Sequence, residues 1–214
     1  MLRWLGAATE GREVGQIRVL GVGRRGLDAA TRLATVAGWQ AAGDILGGQR
    51  VLTFDTGLQS VLSVRAEPAW DGDGPCPRVL WPIEVPARAL GNREMLQLAA
   101  DQPILIESDT AEATTGDPFA LIPARALDGV RGICRVPPAS DTALITLTFA
   151  MEQVVFGGGG TMLHCPAAAP DLTEAAAARA RYPLLDMEGA ARIVQALRGN
   201  TDQARSAGLP GIRS

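Results

Sequence analysis

The chain has 214 residues, 47% of them hydrophobic, and a formal net charge of −3. That is enough apolar material for an ordinary core, and the mild acidity argues against nucleic acid or an anionic membrane as the main partner. All 20 basic residues are arginine, which excludes a Walker A loop and a pyridoxal Schiff base, since both need lysine.

From the N-terminus, a short apolar stretch is soon broken by Glu10, Arg12 and Glu13, unlike a signal peptide, and no run of about 18 apolar residues follows. A cytoplasmic protein with no membrane partner is expected. Ile17-Arg-Val-Leu20 reads as a strand, closed by Gly21-Val-Gly23-Arg-Arg-Gly26. The spacing of Leu27, Ala30, Leu33, Ala34 and Ala37 then predicts a helix, with Gly38 as its C-cap. Val51-Leu-Thr-Phe54 reads as a second strand ending at Asp55. A β–turn–α–loop–β order implies parallel neighbours joined by a right-handed crossover.

Glu67 to Pro77 is a loop, the start of a loop-rich insertion around residues 67–90, with strand pieces at Val79–Trp81 and Ile83–Val85. Asn92 is placed to cap a helix reaching Ala100. Pro103-Ile-Leu-Ile-Glu107 reads as a buried strand with Ser108, Asp109 and Thr110 at its C-terminal end, where open α/β sheets place ligands. Phe119–Ile122 and Val130–Val136 are expected strands, whereas Ala143–Phe156 satisfies both helix and strand patterns and ends at Gly157-Gly-Gly-Gly160. Asp171-Leu-Thr-Glu174 forms a capping box for an alanine-rich helix to Arg181, and Asp186 caps a last helix through Leu197, with a frayed tail from Gly199. The fold expected is a single α/β domain over residues 1–214, three-layered and Rossmann-like, with a mostly parallel sheet.

The glycine turn carries the strongest chemical signal. A strand feeding a helix through Gly21-x-Gly23-x-x-Gly26 lets backbone amides approach a phosphate at a helix N-terminus. Arg24 and Arg25 inside the turn can pair with phosphate oxygens or close it off. Gly157 to Gly160, with Thr161, can form a second anion-binding nest. Cys76, Cys134 and Cys165 are scattered, which fits reduced thiols, and the lone histidine, His164, restricts acid–base chemistry. Glu107 and Asp109 are further candidate acids at a strand end.

Gly21-Val-Gly23-Arg-Arg-Gly26-Leu-Asp28-Ala29 and Phe54-Asp-Thr-Gly-Leu-Gln-Ser-Val-Leu62 together resemble the GTP-binding half of the tubulin/FtsZ family over residues 17–66. The resemblance implies a bound GTP or GDP, with Gly21, Gly23, Arg24, Arg25 and Gly26 facing phosphates and Asp28, Asp55 and Thr56 near the nucleotide. It places Gly158, Gly159, Gly160 and Thr161 in a second phosphate loop. Because arginines replace two glycines and no catalytic loop follows, it implies a degenerate nucleotide binder or assembly partner, a homo- or hetero-oligomer, not a working GTPase. Two enzyme readings stand beside it. In one, NAD binds with Asp55 on a ribose, although Asp55 lies 29 residues beyond Gly26 where about 20 is usual. In the other, Asp186-Met-Glu-Gly-Ala-Ala191 resembles the nucleoside phosphorylase/nucleosidase family, implying that Met187 and Glu188 contact base and ribose. A ligand-free structural subunit on the same α/β scaffold is the remaining alternative.

Overall fold

The computed structural model describes residues 24–139, 142–168 and 181–206. Alternation of buried and exposed side chains dominates them. In Arg50-Val-Leu-Thr53 the second and fourth residues are buried and the others exposed, and in Thr161-Met-Leu-His-Cys165 the odd positions are buried. A period of two marks strands with one face on a core. Fourteen strands form among the described residues: β1 (Leu27–Asp28), β2 (Arg32–Thr35), β3 (Gly38–Ala41), β4 (Arg50–Thr53), β5 (Gly57–Ser60), β6 (Ser63–Pro68), β7 (Ile83–Val85), β8 (Leu96–Leu98), β9 (Pro103–Glu107), β10 (Phe119–Pro123), β11 (Cys134–Arg135), β12 (Ala143–Thr148), β13 (Gln153–Gly157) and β14 (Thr161–Cys165). Helix α1 (Asp109–Thr115) follows β9, and α2 (Met187–Ser206) comes last.

The strands make two sheets. One runs β11-β7-β8-β1-β12-β6, the other β10-β9-β14-β13-β2-β4-β5 with β3 on β2. Every strand pairing is antiparallel, from Leu27 opposite Ile145 to Val155 opposite Thr53. One cluster of buried residues draws on both sheets, including Leu27, Leu98 and Leu147 from the first and Leu33, Ile104 and Leu163 from the second. Full burial of each such side chain is worth about 1.5–3 kcal/mol. Ala190, Ile193 and Val194 of α2 join it. A second, smaller cluster on the other face of the larger sheet holds Leu105, Leu121, Val154 and Tyr182. No helix among the described residues is long and apolar enough to cross a membrane.

The expected mostly parallel, Rossmann-like sheet is therefore not formed. Leu27–Ala37 is not a helix. Asp28 accepts a hydrogen bond from the Ala30 amide (2.8 Å), turning the chain after two strand residues, and Thr31, Arg32 and Leu33 then alternate buried, exposed, buried. Gly38, expected to cap a helix, stands at φ +97° in the β2–β3 hairpin, a conformation that glycine adopts without strain. Asn92 caps no helix. It is buried in a loop, where its amide nitrogen donates to the carbonyls of Val85, Pro86 and Glu94, and Leu96–Leu98 is strand. The expected strand Val130–Val136 shrinks to Cys134–Arg135, and Val79–Trp81 is mostly a 3-10 turn.

The ambiguous stretch Ala143–Phe156 becomes the two strands β12 and β13. The expected strands at Val51–Phe54, Ile83–Val85, Pro103–Glu107 and Phe119–Ile122 are present within a residue or so. Asp186 does cap the last helix, its carboxylate accepting from the Gly189 amide at 2.8 Å, and α2 continues to Ser206 past the expected fray point. The expected strand at Ile17–Leu20 and nearly all of the expected helix at 171–181 lie outside the described residues.

Candidate functional site

The site forms where β1 is inserted between β8 and β12, with Leu27 opposite both Leu98 and Ile145. Gly26, the residue before β1, is buried at φ +140°. A β-carbon there would stand 3.0 Å from the Leu144 β-carbon and 3.4 Å from the Ile145 carbonyl, so both space and torsion demand glycine. Its amide donates to Oε1 of Gln102 at 3.0 Å. The other end of that carboxamide is also committed, with Nε2 donating to the carbonyls of Pro103 (3.1 Å) and His164 (2.8 Å). The Gln102 backbone amide donates to Ala99, and its carbonyl accepts from Ala124. At 2% exposure, Gln102 is thus a buried polar residue with every group paired, and such networks fix geometry.

A cavity of about 50 Å³ adjoins this contact, lined among others by Arg25, Gly26, Gln102, Thr146, His164 and Cys165. Burial pushes the Cys165 thiol up to about 12, so at neutral pH it stays protonated and poorly nucleophilic. Burial also lowers the pKa of His164, against the opposing pull of Glu152, whose carboxylate lies 3.2 Å from Nε2; Arg25 lowers it further. On the outer side of the cavity Arg25 is exposed, while the Arg24 guanidinium donates to the Pro68 carbonyl and pairs with Asp71.

Of the residues expected at a phosphate site, the structure brings Arg25 and Gly26 together, but around a peptide. Gly21 and Gly23 lie outside the described residues, and Arg24 is engaged by Asp71. Asp28 serves the turn described above. Asp55 and Thr56 sit in the β4–β5 turn, remote in role from Gly26. Asp55 accepts from the Tyr182 hydroxyl and pairs with Arg181 (3.3 Å), and Thr56 donates to Gln153 at 2.8 Å. Gly158, Gly159, Gly160 and Thr161 form no open nest. The Gly158 amide donates to Arg32, that of Gly160 to Gly157, and a β-carbon on Gly160 would lie 2.3 Å from the Gly91 carbonyl. The four glycines are there because two backbones pack against each other. GTP, GDP and NAD were all inferred from a strand–turn–helix unit that does not exist, since strand follows Gly26.

Gln102 is what sequence reasoning missed. The only signal is a polar pair, Asp101-Gln102, set between the apolar Leu98-Ala-Ala and a strand, which is weak without coordinates.

The family model of the Hint domain matches residues 26–162, so the match begins at the clamped glycine itself. No curated relative matches the sequence. Among solved structures, a bacterial intein-like domain from Clostridium thermocellum is 13% identical, aligning over 66% of this chain and 99% of its own, with a TM-score of 0.44. The gp41-1 intein is 13% identical over 67% and 99% (TM-score 0.42), and the MchDnaB-1 intein carrying the N145AA change is 20% identical over 66% and 99% (TM-score 0.40). The family match overlaps most of residues 17–66 and replaces the tubulin/FtsZ resemblance. With it fall the nucleotide-binding, NAD-dependent and nucleoside-cleaving readings, as well as the α/β structural subunit.

Proposed function

Since the chain belongs to the Hint domain family, we propose that its site handles a peptide bond of its own backbone, Arg25–Gly26, as a self-processing domain arrested at the holding stage. One observation carries this reading: the Gly26 amide is clamped by a fully paired Gln102 at the first residue of the family match. One way for a chain to cut itself is an acyl shift, in which a thiol or hydroxyl on the residue supplying the bond's nitrogen attacks the preceding carbonyl. Glycine has neither group. The departing nitrogen also needs a proton, and a neutral carboxamide such as Gln102 accepts an N–H but has no titratable proton to return. The Cys165 thiol, the nearby alternative nucleophile, is kept protonated by burial. Binding geometry is therefore supplied without the groups for the shift.

The test is intact-mass spectrometry of the purified full chain over several days at pH 7–8, with and without dithiothreitol or hydroxylamine, which capture thioesters and esters. A single species of unchanged mass is expected throughout. Accumulation of fragments 1–25 and 26–214 overturns the proposal.

A further inference from the structure

Outside the Gly26 cavity lies a larger groove of about 420 Å³, and the two share Arg25, Thr146 and Pro166. Its floor is β12, through Leu144 and Thr146. One wall is β6, whose Glu67 and Arg65 stand directly opposite those two residues. We propose that this groove seats residues 16–23 of the same chain in extended form, a reading that rests on Arg25–Gly26 being the held bond.

Three observations converge on this occupant. The first is position. Arg24 lines the groove, and its guanidinium is fixed at one end by Pro68 and Asp71, so the chain running into Arg24 enters there. The second is shape. Residues 16–23 read Gln-Ile-Arg-Val-Leu-Gly-Val-Gly. In an extended chain alternate residues share a side, so Gly21 and Gly23 leave one side bare next to Arg24, and a bare side lets backbone lie flat on the Leu144–Thr146 floor. This gives the glycine-rich turn a role unrelated to phosphate. The third is charge. Arg24 pairs with Asp71 and Arg65 with Glu67 (3.5 Å), leaving the groove close to balanced, and the segment carries a single charge at Arg18. A nearly neutral segment suits such a groove better than a charged ligand does.

Hydrogen-exchange mass spectrometry on the full chain tests this, using a synthetic peptide of residues 16–23 as the reference. Amides of 16–23 in the wild-type protein should exchange at least tenfold more slowly than in the peptide. Protection should fall to within twofold of the peptide in Thr146→Trp, which fills the floor. Gly21→Val, which places a side chain on the bare side and leaves the described core untouched, should do the same, so the test survives a misfolded Trp variant. Peptide-like exchange in the wild type, or undiminished protection in Gly21→Val, overturns the docking. Intact masses from the same samples report cleavage at Arg25–Gly26 separately, so the two readings fail in different ways.

Discussion

At the scale of single residues, the strongest constraints are polar groups buried with their partners. Gln102 and Asn92 each knit several backbone groups together, and losing either side chain leaves buried carbonyls unpaired at about 1–3 kcal/mol each. His164 adds a pH dependence whose sign can be worked out. Its folded pKa lies below the ordinary 6.5, so between the two values the unfolded chain binds the extra proton, and stability is lost as pH falls below about 6.5. It is the only histidine in the chain, which makes the assignment clean. The thermal midpoint of the wild type should therefore drop between pH 7.5 and 5.5 more steeply than that of His164→Gln. Parallel curves for the two proteins would show that His164 is not the cause. At the alkaline end, Cys165 and Tyr182, both raised to about 12 chiefly by burial, lose their stabilising contribution as pH climbs above their ordinary values of 9 and 10.

Elements show where a single sequence informs and where it misleads. The β13–β14 turn was legible as a glycine-rich break, but not as a close approach of two backbones. Since a β-carbon on Gly160 would meet a backbone carbonyl, which cannot swing aside as a side chain can, Gly160→Ala should cost about 1–3 kcal/mol in urea unfolding. Gly48→Ala, with open space around it, should cost only the strain of its positive φ, about 1 kcal/mol. Equal losses would refute the packing argument. Strands rich in β-branched or leucine residues, such as Pro103–Glu107 and Phe119–Ile122, were recognisable because their composition suits little else. Leu27–Ala37 misled because alanine fits a helix and a half-exposed strand equally well, so the spacing of two leucines was given a helical meaning. The deciding features were the turn made by Asp28 and the Thr35 hydroxyl bonded to Gly38 at 2.8 Å, both local and both easily mistaken for helix ends. Of the candidate site, Arg25 and Gly26 were singled out from sequence for the wrong ligand. Gln102 was not found, because nothing in one sequence says that its amide faces a residue 76 positions earlier.

For the whole molecule, topology rather than composition sets behaviour. β1 pairs with β12 and β8, β6 with β12, and β13 with β2 and β4, so most of the sheet hydrogen bonding joins distant parts of the chain. Loop closure must be paid before such pairings return anything, and domains of this kind fold in milliseconds to seconds. Stopped-flow refolding followed by tryptophan fluorescence should fall in that range or slower. A main phase in microseconds would mean that local structure, not strand pairing, limits folding.

The clamp on Gly26 is assembled from the two ends of this topology. Leu27 waits for Ile145, and the orientation of Gln102 waits for the carbonyl of His164. On a ribosome adding roughly 5–20 residues per second, the interval between making Gly26 and making His164 is about 7–30 s. Throughout that interval the Arg25–Gly26 link is ordinary accessible backbone, open to any protease or processing factor that reaches the nascent chain. Once β14 is complete, the same link becomes interior.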